Sequence, residues 1–165
     1  MNTIPEAYQS EINRLISIAR GFLSAGEELQ AFVFLGASDK PTLPCPMNVC
    51  NAKAKDKSAA IVRGIAEAGN AEFAIMISEA WALDAEKTTM EEFIRIAESR
   101  ESIENHPNRI DVLMVTLETP MGFWVAQSPI KSSGGKARGF GEVNFEFLDR
   151  VEGRFTCFLP RRATH

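Results

Sequence analysis

The C-terminal third is the part of the chain that most limits the fold. Ile110 to Thr119 is a long apolar run with the texture of a strand. Thr119-Pro120-Met121-Gly122 follows as a hairpin turn signal, and Phe123 to Ser128 pairs back. From Glu142 to Leu148 the pattern alternates, with Val143, Phe145 and Phe147 on one face and Asn144 and Glu146 on the other. Asp149 to Gly153 reads as a turn, and Arg154 to Leu159 returns with Phe155, Cys157 and Leu159 inward. A period of two places alternate residues on opposite sides of a pleated ribbon. This region therefore predicts a four-stranded antiparallel meander.

A sheet with an apolar face needs a cover, and the N-terminal half supplies one. Thr3-x-x-Glu6 has the form of a capping box, with Pro5 in the first turn. Tyr8, Ile12, Leu15, Ile16, Ala19 and Leu23 then make one helical apolar stripe, and Gly21 or Gly26 marks its stop. Gln30 to Leu35 has almost no polar break and predicts a central strand. Gly36 to Lys55 holds Pro41, Pro44 and Pro46 and predicts a long irregular stretch. Asp56 or Ser58 caps a second helix running to Ala68, with Ile61, Ile65 and Ala68 inward. Phe73 to Ala80 is a further strand, so strand, helix and strand suggest one crossover pair. Asp84 to Glu104 carries seven acids and three bases behind two capping boxes, Thr88-x-x-Glu91 and Thr89-x-x-Glu92. It predicts a short, exposed, acidic helix with Phe93, Ile94 and Ala97 as a narrow apolar face.

The expectation is a single α+β domain over residues 1–165. Its sheet is mixed and mainly antiparallel, with six strands, and its helices pack on one face. With 165 residues, 45% of them hydrophobic, the chain can close a core. A net charge of −4 weighs against polyanion binding by the chain as a whole. No run approaches the ~20 apolar residues of a membrane helix. Met1 to Glu6 lacks a basic region and an apolar run, and no lipidation signal is read. Three cysteines, Cys45, Cys50 and Cys157, fit a reducing compartment better than a disulfide framework. The cytoplasm, with no membrane contact, is the expected location.

Four groups of residues carry chemistry. Cys45 and Cys50 form a C-x4-C pair, but a zinc site needs about four soft ligands, and only His106 and His165 remain to help. No metal and no cofactor are expected, and Cys157 is placed in the core. His106, Arg109 and Asp111 form a polar cluster at a strand entrance, where His can act as acid or base and Arg can clamp an anion. Glu79 and Trp81 stand at a strand end and suit a pocket wall, with Glu79–Arg109 as a conceivable pair. Lys131 to Gly141 holds four glycines and three positive charges in eleven residues. Lys131, Lys136 and Arg138 there are the candidates for phosphate or nucleic acid. The segment is not a Walker A loop, because Ile130 and Ala137 occupy the first glycine and the hydroxyl positions.

No nucleophile elbow or His-Glu-x-x-His motif occurs, and two histidines leave few triads. The question of enzyme or not stays open. The leading expectation is a non-enzymatic binding or accessory domain acting through protein contact or self-association. One alternative is a small enzyme or small-molecule binder with a polar site at a sheet rim. The other is a weak nucleic-acid or phosphate binder through residues 131–141.

Overall fold

The computed structural model describes residues 3–38, 40–149, 151 and 155–160. Among the described residues three helices and seven strands follow in the order α1 (Glu6–Ser24), β1 (Phe32–Gly36), β2 (Leu43–Pro46), α2 (Ala52–Ala68), β3 (Phe73–Leu83), α3 (Met90–Ser99), β4 (Arg109–Thr119), β5 (Gly122–Gly134), β6 (Ala137–Phe140) and β7 (Phe145–Leu148). The strand order is β2-β1-β3-β4-β5-β6, with β7 also on β5. Every pairing is antiparallel. This is the α+β class with a mainly antiparallel sheet that the sequence predicts.

The crossover differs from expectation. β1 and β3 are antiparallel neighbours, because β2 intervenes in the chain and turns it back. The helix-bearing connection therefore runs from β2 to β3, which point the same way on either side of β1. Pro44 and Pro46 escaped a strand reading because proline removes a ladder donor, and an edge strand tolerates that loss.

β3 divides the core, and with it the helices. Ile75 and Ile77 face α1, joining Ile12, Leu15, Ile16, Ala19 and Leu23 with Leu113, Val115 and Leu117 of β4. Ala74 and Met76 belong to the other face, with Ala59, Val62 and Ala66 of α2 and Val33 and Leu35 of β1. The helices are thus shared between the two faces of the sheet rather than collected on one. Burial of each large apolar side chain in these clusters contributes about 1.5–3 kcal/mol.

α1 keeps the predicted stripe but not the predicted cap. The helix begins at Glu6 behind Pro5, with no side-chain cap bond. Pro5 biases Ile4 away from helical angles, so Thr3 cannot open the helix. At the far end Gly26 takes φ 78°, and Glu27 N–H donates to the Phe22 carbonyl at 3.0 Å. A Cβ on Gly26 would sit 2.8 Å from the Lys136 Cβ, so glycine lets this turn touch the β5–β6 hairpin.

α2 starts earlier than predicted, capped by Asn51, whose side chain accepts from the Ala54 amide. Its buried stripe is Ser58, Ala59, Val62 and Ala66, and Ile61 is exposed. The small residues allow close approach to the sheet, a preference that a search for large apolar residues misses. α3 is capped by Thr89 and buries no residue, as an exposed acidic helix should.

The last predicted strand, Arg154 to Leu159, is not one. Residues 152–154 lie outside the described residues, and 155–160 form no strand. Side chains serve the backbone there instead. The Glu118 carboxylate accepts from the Phe158 and Leu159 amides at 2.9 and 3.2 Å. Arg63 of α2 donates to the Thr156 and Cys157 carbonyls. Phe158 is buried, whereas Cys157 is exposed at φ 57° and is not a core residue.

Candidate functional site

A helix is ~10 Å wide and strands lie ~4.8 Å apart, so one helix covers about two strands. α2 packs on β1 and β3 and leaves the same face of β4 and β5 without a helix. The C-terminal segment, held by Arg63 and Glu118, closes one side of the opening. The result is a cleft of about 780 Å³. Such a volume is in the range of small-molecule sites.

Strand register builds the floor. Met76 of β3, Thr116 of β4 and Val125 of β5 lie side by side, with Ser78 opposite Met114 in the next row. Phe123, Leu148 and Phe155 line one end, and Ser102 and Ile103 another part of the wall. Ser78 is 6% and Thr116 8% exposed, yet neither hydroxyl has a hydrogen-bond partner among the described residues. Since no fully enclosed side-chain polar atom there lacks a partner, both oxygens open onto the cleft. Lys55 stands at the wall, half-buried, with no ion pair among the described residues. It precedes Ser58 and Ala59 by one helical turn, so it shares the sheet-facing side of α2.

The residues singled out from the sequence fall in several places. Glu79, Trp81 and Asp111 border the cleft, with Trp81 directly opposite Asp111, but alternation sets all three on the side of the sheet that carries Ile75, Ile77 and Leu113. Glu79 does not pair with Arg109. It takes a bidentate contact from Arg138 of β6, one bond 3.3 Å long, and accepts the Leu29 amide at 3.0 Å. Arg109 lies 5.0 Å from the centre of the Trp81 ring and donates to the Glu104 carbonyl at 2.7 Å. His106 Nδ1 accepts from the Asn108 amide, and its Nε2 is 3.3 Å from a Glu92 carboxylate oxygen. His106, Arg109 and Glu79 are therefore engaged by three different partners.

Lys131, Lys136 and Arg138 belong to a tight hairpin and not to a long loop. β5 runs through to Gly134, and β6 begins at Ala137. Glycines at 134 and 135 take φ 114° and 58° to make the turn. Glu79 and then burial act on Arg138 in opposite senses, and the net effect raises its pKa. The nearby hollow of about 400 Å³ is lined by Glu28 and Glu79 as well as by Lys136 and Arg138. Carboxylates thus face the cations where a phosphate would have to sit.

Glu92 is held well below the usual carboxylate range, at about 2, by the bond from Arg95 and then by that from His106. Burial pushes the Cys45 thiol up, and Cys50 is exposed with Asn51 Nδ2 donating to its sulfur at 3.4 Å. Among the described residues no three His, Cys, Asp or Glu side chains converge as metal ligands. No helix there is long and apolar enough to cross a membrane.

Sequence reading passed over Lys55, Ser78, Met114, Thr116 and Val125. None belongs to a motif, and a Ser or Thr in a strand carries no signal until register brings the rows together. No family model, no curated protein and no solved structure matches the chain.

Proposed function

We propose that this protein is a non-enzymatic binding domain whose site is the cleft between α2, the β4–β5 face and the C-terminal segment. The observation that carries the reading is a concave apolar floor with two hydroxyls that have no partner among the described residues. Apolar walls with a few polar groups are the usual chemistry of small-molecule recognition. Catalysis would need an activated group, and neither Ser78 nor Thr116 is hydrogen-bonded to a base among the described residues. The neutral dye Nile red tests the site. Wild type brightens it, and Val125→Arg, at a half-buried floor position, abolishes the effect while far-UV circular dichroism is unchanged. No brightening, or equal brightening in the variant, contradicts the reading.

Self-association is the second reading, favoured by the opposite face of the sheet. Ile18 and Phe22 of α1 are 43% and 44% exposed. They border an apolar groove of about 440 Å³ beside Phe32 and Phe34. Prolines on β2 discourage strand addition at that edge, so contact would be made by side chains. Light scattering after size exclusion decides it. A dimer that Phe22→Lys dissolves supports it, and a monomer at every concentration removes it.

A further inference from the structure

We infer that the cleft takes a small amphipathic carboxylate: an acyl or aryl body on the floor and its anionic head at Lys55. The inference rests on the binding reading above and names the class of ligand. Three features converge on it. Lys55 is a half-buried cation without an ion pair among the described residues, on the sheet-facing side of α2. A long side chain held partly out of water keeps its charge at low cost only when an anion or solvent can reach it. Ser78 and Thr116, each more than nine-tenths buried, present hydroxyls to the same space with no hydrogen-bond partner among the described residues. A hydroxyl donates to a carboxylate, and bonds to a charged acceptor are the stronger kind. Beyond them Met76, Met114, Val125 and Phe123 offer soft apolar contact to the remainder of the ligand.

Glu79 and Asp111 alternate with Ser78 and Thr116 along their strands, so neither carboxylate belongs to the floor. Glu79 is neutralised by Arg138. Asp111 lies on β4 toward the Trp81 end, where it acts on Arg138 through charge. Among the described residues Lys55 is the basic side chain that lines the cleft, and an anionic head is drawn to it. The N-terminus of α2, capped at Asn51, adds its partial positive charge on the same side.

Decanoate and decanol share a chain and differ in the head, so they separate the two claims. Isothermal titration of the full chain should show decanoate binding about tenfold more tightly than decanol, as one charge-assisted contact implies. Lys55→Met should bring the two together, and Lys55→Arg should restore the preference. Thr116→Val should weaken decanoate and leave decanol unchanged. Lys55 is only half-buried, so its variants fold, with an unchanged melting temperature as the check, and Thr116→Val should melt no lower than wild type. Equal affinity of the two ligands for wild type overturns the head-group assignment while the cleft survives. Binding of neither overturns both. Tighter binding by an apolar pentapeptide with a free C-terminal carboxylate overturns the small-molecule assignment.

Discussion

Replacing Thr116 with valine should stabilise this protein, although it removes a polar group from the middle of a sheet. Thr116 is 8% exposed, between Met76 and Val125 in adjacent strands, and its hydroxyl has no partner among the described residues. A buried hydroxyl without a hydrogen bond costs roughly 1–3 kcal/mol by mutational measures. The Thr116 oxygen is open to the cleft, so only a fraction of that cost applies. Valine has nearly the same shape and an equal or better fit to a pleated strand. The expected gain is about 0.5–1 kcal/mol, or roughly 1–4 °C in Tm for a chain of this size. Urea unfolding reads it as a higher midpoint with an unchanged slope. A loss of more than about 1 kcal/mol would mean that the hydroxyl holds a structural hydrogen bond. The cleft floor would then be part of the scaffold and not a place kept open for a ligand. A stabilising substitution that weakens ligand binding is the pattern expected of a functional site.

Other consequences follow from particular side chains. Leu113→Ala, at a fully buried β4 position against α1, should cost about 2–5 kcal/mol in urea midpoint analysis. Ile94→Ala on exposed α3 should stay within about 0.5 kcal/mol. Glu79→Gln should cost about 1–2 kcal/mol, because Arg138 loses its charged partner at a half-buried site. Glu92 has its carboxyl depressed to about 2 from an ordinary 4.5. Its bonds to Arg95 and His106 therefore stabilise α3 fully above pH ~4.5 and fade as pH falls toward 2. Wild type and Glu92→Gln should differ in α3 amide exchange at neutral pH and converge at the acid end. A difference that persists there would contradict this. Iodoacetamide should modify exposed Cys50 and Cys157 in the folded protein and buried Cys45 only on unfolding.

The parts of the fold that repeat within one element were legible. The α1 stripe, the apolar run of β4 and the Thr119–Gly122 turn depend on neighbours three or four positions away at most, and all stand as read. What depended on distant chain was not. β2 carries prolines that a central strand would reject, and only its place at the edge makes them acceptable. On α2, Ile65 packs against the core as expected, but Ile61 and Ala68 are exposed, because the face that approaches the sheet is made of Ala59, Val62 and Ala66. Phe155 to Leu159 alternates like a strand, yet its Phe158 and Leu159 amides go to Glu118, about forty residues earlier in the chain. The candidate site follows the same division. Glu79, Trp81 and Asp111 border the cleft from within β3 and β4 and not from a strand end, because β3 runs on to Leu83 in register with Arg109. Arg138 was read as an anion ligand because the Glu79 carboxylate opposite it lies 59 positions away in sequence. Ser78 and Thr116 acquire meaning only from antiparallel register, which no local pattern carries.

Titration of the ¹⁵N-labelled protein with decanoate, followed by amide chemical shifts, tests the cleft most directly. The expected shifts fall on Lys55, Met76, Ser78, Met114, Thr116 and Val125, while Ile18, Phe22 and Phe32 across the sheet stay in place. Saturable shifts centred on the α1 groove, or none on the β4–β5 floor at full occupancy, would contradict the account.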